Sequence, residues 1–499
     1  MVEEFPDILA GEWITGHSGE LMEVRNPADE TDVIALFARG DAVDVDEAAK
    51  AAKAAYPAWM STPAPARADY VLRVGMLLEQ RKEELAREMA REMGKTWREC
   101  RADVQEGIDF AYYMAGEGRR LFGVTTRAEL PQKFSMTMRH PIGVAGLITP
   151  WNFPIAIPTW KIFPALIAGC TVVFKPAEDT PLLAYRLVRM FEEVGLPAGV
   201  LNFVPGIGEE AGAALVDHKD VRAISFTGSL DVGRMIAESC GRQMKRVSLE
   251  LGSKNCLIVM PDADLDLAVE AGAWGAFATS GQRCTATSRM AVHADVQDEF
   301  EERLLARVTT MKVGPATDPD SELTAVINAK QKERILGYIG VGEEEGAKLL
   351  TGGHELTDGE LAKGNFIAPT VFRDVTPDMR IFQEEIFGPV TAITTVGSLD
   401  EAIAIANGTQ YGLSCSIYTR DITNTFTAIE QLEFGVVYVN APTIGAEVQL
   451  PFGGMKSTGN GHREAGPVAL DEFTEWKAVS VDYSGKVQKS QGIDDAIPG

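Results

Sequence analysis

GVAGLITP at 143–150, CTVVFKP at 170–176, GVLNFVPG at 199–206 and AISFTGS at 223–229 are four short apolar runs. Helical patterns alternate with them, among them PLLAYRLVRMFEEVG at 181–195 and EEAGAALVDH at 209–218. Short apolar runs alternating with amphipathic helices predict a parallel, doubly wound sheet. Two glycine turns punctuate it. Gly206, Gly208 and Gly212 lie between a strand and a helix, and Gly228, Ser229 and Gly233 repeat the arrangement in the next turn. Glycines there let backbone N–H groups approach a pyrophosphate at a helix N-terminus. They serve equally well as plain tight connections.

Outward from this core, a second α/β region is expected from about Gly252 to Gly454. Towards the N-terminus, Asp44 and Glu47 have capping-box spacing before an Ala-rich run, and a helical pattern runs from Ala68 to about Met93 before Gly94. Two segments alternate with period 2 and have no sheet beside them in sequence: Phe134, Met136 and Met138, and later Val479, Val481 and Tyr483. They can pair with each other and offer an edge to another subunit, or form an ordinary surface hairpin. The tail after Gly485 is polar and expected to be mobile.

The chain has 499 residues, too many for one ordinary core, so two large lobes are expected. A formal net charge of −25 argues against a nucleic-acid partner, whose phosphates it would repel. Arginines outnumber lysines, 28 to 19. A Lys-poor acidic surface suits a high-salt interior, and a GC-rich genome would favour arginine as well. No run approaches the ~20 apolar residues of a membrane span, and the acidic N-terminus is unlike a signal peptide. The cytoplasm is the expected compartment. The six cysteines are scattered without a C-x-x-C pair and the six histidines form no cluster, so neither a disulfide framework nor a metal site is expected.

Three residues stand out chemically. Cys284 lies in ATSGQRCTATSR, small and polar rather than core-like, with Arg283 beside it as a possible aid to thiolate formation. Glu250 interrupts an apolar run in VSLELGSKN; a carboxylate there must be paired, protonated or functional, and its functional reading is a general base. Asn152 in ITPWNFPIAIP has an amide able to donate to an oxyanion, or simply forms an Asx-turn. Lys175 and Glu178 follow a strand end, where α/β sheets bind ligands. A carboxylate there would accept from ribose hydroxyls and repel a 2′-phosphate, favouring NAD over NADP, although Lys175 could tolerate the phosphate. The alternative is a surface ion pair.

Taken together these motifs resemble the aldehyde dehydrogenase superfamily. The matching blocks are PWNFP at 150–154, KPAEDTP at 175–181, FTGS at 226–229, ELGSK at 250–254, GQRCT at 281–285, EEIFGPV at 384–390 and PFGGMKSTGNGHRE at 451–464. The resemblance implies an α/β fold with a Rossmann-like cofactor domain (1–119 and 142–252), an α/β catalytic domain (253–454), oligomerisation strands (120–141 and 470–485) and a tail (486–499). It implies NAD(P)⁺-dependent oxidation of an aldehyde through a thioester on Cys284, with Glu250 as base and Asn152 plus the Cys284 N–H as oxyanion hole. Lys161 and Glu464 match a proposed proton-relay pair. Trp151, Lys175, Glu178, Gly208, Gly228, Ser229, Glu385 and Phe387 fall at cofactor-lining positions. One departure is Ser253, where many members carry a second glycine.

Arg283 before the nucleophile and the GAE loop with Gly445 and Ala446 resemble the antiquitin-like and 2-oxoglutarate semialdehyde branches. Glu106 resembles the acid that meets a substrate amino group there. The expected substrate is a small carboxylated semialdehyde such as 2,5-dioxopentanoate, with 2-aminoadipate semialdehyde or broad aliphatic aldehydes as alternatives. Arg283 could instead be held in a structural salt bridge. A CoA-acylating relative would lack Glu250, and a crystallin-like structural protein would have lost Cys284, Glu250 and Asn152. By the same resemblance the chain is expected to be a homodimer or homotetramer.

Overall fold

The computed structural model of the chain describes residues 3–5, 7–9, 12–14 and 16–489. The apolar runs quoted above form a parallel sheet in the order Arg246–Glu250, Val221–Thr227, Val144–Ile148, Thr171–Lys175 and Leu201–Phe203, with Asp7–Leu9 and Glu12–Ile14 added antiparallel at one edge. Strands Val144–Ile148 and Thr171–Lys175 are buried along their whole length, as helices on both faces require. The order reverses between Val144–Ile148 and Val221–Thr227. A crevice at the carboxyl ends of such a pair is where open α/β sheets bind ligands. The register lines up Thr227 with Glu250, Phe226 with Ile148, and Ile148 with Lys175 along that edge.

A second seven-stranded sheet runs Lys348–Thr351, Thr370–Arg373, Val390–Val396, Arg289–His293, Cys256–Val259, Ser414–Tyr418 and Val436–Val439, parallel except for its first pair. Its core is separate, built on residues such as Leu257, Met290, Ile393 and Phe300. The two alternating segments do pair: Thr474–Asp482 lies antiparallel on Lys133–Pro141, with Thr125–Arg127 as a third strand.

Several local expectations shift. The first helix, Ala42–Ser61, is capped three residues before Asp44, by Asp41, with Asp44 closing the box. Its predecessor in the chain is not helical: Leu21–Asn26 and Asp29–Ala38 form a hairpin that the helical reading passed over. The pattern from Ala68 to Met93 is two helices, Ala64–Gln80 and Lys82–Glu92, broken at Arg81. Apolar spacing alone does not reveal that break because both helices bury the same side. The segment starting at Glu209 opens as a π-turn, Gly208–Gly212, before the helix Ala213–Asp217. Most of the expected tail, 490–499, lies outside the described residues.

Candidate active site

The nucleophile loop is held from several sides. Helix Leu265–Phe277 ends in a 3₁₀ turn whose Thr279 and Ser280 have φ of 53°, a left-handed conformation that side chains adopt only when their surroundings impose it. Gly281 (φ 69°) follows, and a Cβ there would lie 2.0 Å from the Gly388 carbonyl oxygen, so only glycine fits. Asn255 Nδ2 donates to the Cys284 and Ala286 carbonyls at 2.7 and 2.9 Å, and Thr443 Oγ1 donates to the Thr285 carbonyl at 2.8 Å. Cys284 emerges half-buried on the floor of the cleft. Its backbone N–H has no acceptor among the described residues.

The PWNFP turn comes to it from the other sheet. Lys95 and Asp103, both fully buried, form an ion pair at 2.6 Å. Lys95 also donates to the Asn152 carbonyl at 2.9 Å, and Asp103 accepts from the Ala156 N–H at 2.7 Å. The turn is thereby clamped at both ends. Asn152 Nδ2 donates to the Gln282 carbonyl at 3.0 Å, which ties it to the nucleophile loop. Its Oδ1 has no partner.

Glu250 ends strand Arg246–Glu250 and is 3 % exposed. Neither carboxylate oxygen has a hydrogen-bond partner, and an unpaired buried charge is costly. Burial raises its pKa well above the usual carboxylate range, Glu464 raises it further, and Lys161 opposes them. Behind it Lys161 is ion-paired with Glu464.

Burial likewise pushes the Cys284 thiol above its ordinary value, with Glu385, Glu250 and Glu464 adding to it and Arg283 pulling the other way. Arg283 therefore acts in the expected direction, towards the thiolate, but burial and the three carboxylates outweigh it. Arg283 is engaged elsewhere. It donates to Thr279 Oγ1 at 2.9 Å, pairs with Glu99 at 3.1 Å and lies 5.2 Å from the Phe153 ring centroid. Glu99 was not singled out in the sequence, although the capping box Thr96–Glu99 was there to be read.

Two cavities meet at Cys284. One, about 410 Å³, is lined by Phe153, Trp160, Trp274 and Phe452 together with Glu106, Arg283, Arg98, Gly445, Ala446, Glu250 and Glu464. Burial, then Asp103, raises the Glu106 carboxyl to about 8 against the pull of Arg283 and Lys95. The other, about 350 Å³, is lined by Trp151, Asn152, Thr227, Gly228, Ser229, Glu385 and Phe387. A third space of about 410 Å³ continues along the sheet edge between Ile148, Phe226, Val232 and Ile236, with Gly208 and Gly212 on its rim.

The dinucleotide expected from the sequence fits this run. A flat base suits the apolar slot. Lys175 and Glu178, 3.3 Å apart at the strand end, can meet a ribose. Ser229 caps the N-terminus of helix Leu230–Arg242, a favourable place for a phosphate. Glu385, held by the Ser253 N–H at 2.8 Å, and Phe387, in edge contact with Trp151, sit nearest Cys284. The orphaned Thr227 hydroxyl is a further donor in this cleft.

The profile of the aldehyde dehydrogenase family matches residues 13–479. The chain is 42 % identical over 475 residues (95 % of this chain, 97 % of the relative) to the alpha-ketoglutaric semialdehyde dehydrogenase of Bacillus subtilis (strain 168). It is also 42 % identical over 474 residues (94 % and 98 %) to the 2,5-dioxopentanoate dehydrogenase of Saccharolobus solfataricus. Among solved structures, the betaine aldehyde dehydrogenase of Staphylococcus aureus in complex with NAD⁺ superposes with a TM-score of 0.94 at 34 % identity, covering 97 % of this chain and 96 % of that one.

Proposed function

Since the chain belongs to the aldehyde dehydrogenase family, we propose that it oxidises a short carboxylated semialdehyde, 2-oxoglutarate semialdehyde first, to the acid with NAD⁺. The observation that carries this reading is the meeting at one point of a cleft-facing thiol, a free N–H, an amide and an orphaned buried carboxylate.

Cys284 Sγ attacks the aldehyde carbon as its proton passes to a base in the cleft, for which the orphaned Glu250 carboxylate is placed, and the Asn152 amide and Cys284 N–H donate to the oxygen on which charge develops. A preorganised donor of this kind contributes about 3–4 kcal/mol. NAD⁺ held by Lys175, Glu178, Ser229, Glu385 and Phe387 would supply the acceptor for the hydride that leaves the aldehyde carbon as the thioester forms. Glu250, having released that proton to solvent, then takes one from water as the water oxygen attacks the thioester; the C–S bond breaks, the sulfur leaves as thiolate, and the acid departs. The carboxylate does this because burial has raised its basicity.

For the substrate, the names of the two semialdehyde relatives support the oxo-acid; Arg283 lines the cavity but is already paired with Glu99, so it would meet a substrate carboxylate only by sharing that charge. Glu106 in the same cavity supports 2-aminoadipate semialdehyde as the second reading, because an ionised carboxylate there would take an ammonium group. We assign the chain to the cytoplasm, where its six free cysteines would stay reduced. No helix among the described residues is long and apolar enough to cross a membrane. We also read strand Thr474–Asp482, whose Trp476 and Val481 are 56 % and 46 % exposed, as an assembly edge for a dimer or tetramer.

The test is a panel of semialdehydes and neutral aldehydes of equal length, followed by NADH absorbance with each cofactor and without CoA. A kcat/KM for neutral aldehydes equal to that for the carboxylated ones would refute the substrate assignment.

A further inference from the structure

The polar groups behind Glu250 extend farther than the reaction above uses. Glu472, at the end of the turn of helix Ala469–Glu472, is 3 % exposed. Its carboxylate accepts from Ser248 Oγ at 2.7 Å and from Ser225 Oγ at 3.2 Å. Ser225 and Ser248 are directly paired in the parallel sheet, so the register itself turns both hydroxyls to the same side. Ser225 Oγ in turn accepts from Lys161 Nζ at 2.9 Å, and Lys161 is the cation of the Lys161–Glu464 pair.

An unbroken line of hydrogen-bonded buried groups therefore leads from Glu464 through Lys161 and Ser225 to Glu472. Burial and then Glu464 raise both the Glu250 and the Glu472 carboxyls, against the pull of Lys161. The other charged groups nearby are Arg463, His462, Arg246, Asp471 and Glu475. Asp471 is turned outward to Arg139, and Arg246 donates to the Asp471 carbonyl and stands 3.9 Å from Glu475.

We infer that Glu472 is a positioning residue of the hydrolytic half-reaction, fixing Lys161 through Ser225 and acting as the far acceptor of a proton relay from Glu464. In the relay Lys161 passes a proton to Ser225 Oγ, and the serine's own proton goes to Glu472 Oε2. Lys161 regains one from Glu464 when that carboxylate has taken up a proton from the cleft. One proton moves from Glu464 to Glu472, Lys161 and Ser225 return to their starting states, and no co-reactant is consumed. Burial, with Glu464 second, lifts the Glu472 carboxyl to about 7, so it can take up and give back a proton near neutrality.

The inference rests on the thioester reading above, and the experiment separates the two. Glu472→Gln keeps the shape and Ser225→Ala breaks the line while leaving Glu472 in place. In the full-length protein, rapid mixing with semialdehyde and NAD⁺ reads the first-turnover NADH burst. Acid-quenched intact mass reads the fraction of Cys284 held as thioester. Both variants are expected to keep the burst and slow hydrolysis about tenfold, so that thioester accumulates. The double variant should be no slower than the slower single one. In E472Q the acid limb of hydrolysis moves to lower pH, because removing a neighbouring carboxylate lowers the pKa of Glu250. Unchanged hydrolysis overturns the inference. So does a fall of burst and hydrolysis together with the melting temperature, which would make Glu472 a packing residue. If the unaltered protein forms no NADH at all from semialdehyde and NAD⁺, the substrate reading fails instead.

Discussion

Gly252→Ala tests how tightly the cofactor end of the site is built. Gly252 follows Glu250 on the cleft wall, and a Cβ added there would fall 2.1 Å from Glu385 Oε2 and 2.6 Å from its Cδ. Contacts under 3.0 Å are essentially never seen for a Cβ, so the carboxylate must withdraw by about 1 Å. That movement strains or breaks the 2.8 Å bond from the Ser253 N–H that now orients Glu385. A misplacement of about 1 Å at a positioning group is worth about a hundredfold in rate, or ~2.7 kcal/mol of barrier. The assay is kcat/KM for NAD⁺ at saturating aldehyde, with a melting curve as control. Glu385→Ala is the second arm. If the alanine acts by displacing Glu385, the double variant is no slower than Glu385→Ala alone. A change in kcat/KM under threefold, or an additive double variant, would refute the argument.

Three other outcomes follow from the same geometry. Cys284→Ala abolishes turnover and retains NAD⁺ binding by titration, whereas Glu250→Gln retains the NADH burst and traps the acyl-enzyme, visible as an added mass on the protein. Lys95→Met leaves Asp103 buried without its cation and should cost about 3–5 kcal/mol in denaturant unfolding, while Lys95→Met with Asp103→Leu recovers much of the loss. Glu106, raised to about 8, holds its proton at neutral pH and can donate to a 2-oxo group. It ionises above that pH, so the ratio of kcat/KM for the 2-oxo over the 2-amino semialdehyde should fall as pH climbs through about 8, and Glu106→Gln should remove that dependence.

Local pattern was enough for the parallel sheet, because strands buried on both faces must be apolar throughout and their helices amphipathic, as GVAGLITP and PLLAYRLVRMFEEVG are. The site residues were legible for a related reason. Cys284 stood out for its polar neighbours and Glu250 for its apolar ones, Asn152 had an Asx-turn as its alternative, and the fold brings all three to the cavities that meet at Cys284. The hairpin Leu21–Ala38 was not legible, since strand pairing partners are decided at a distance, nor was the break at Arg81, since the buried positions continue in phase across it.

Amino-acid order by itself determined the α/β rhythm, the glycine turns at the strand ends and the kinds of groups available for chemistry. Tertiary structure alone decided their states. Arg283 and Glu99 lie far apart in the chain, yet their pairing sets what the guanidinium does. The thiol of Cys284 is pushed up by burial and then by carboxylates from three other segments, and Glu472 meets Lys161 only because Ser225 sits between them in a sheet. Charge interactions act through space and grow as water is excluded, so a residue's identity can be read along the chain, but its protonation and partner cannot.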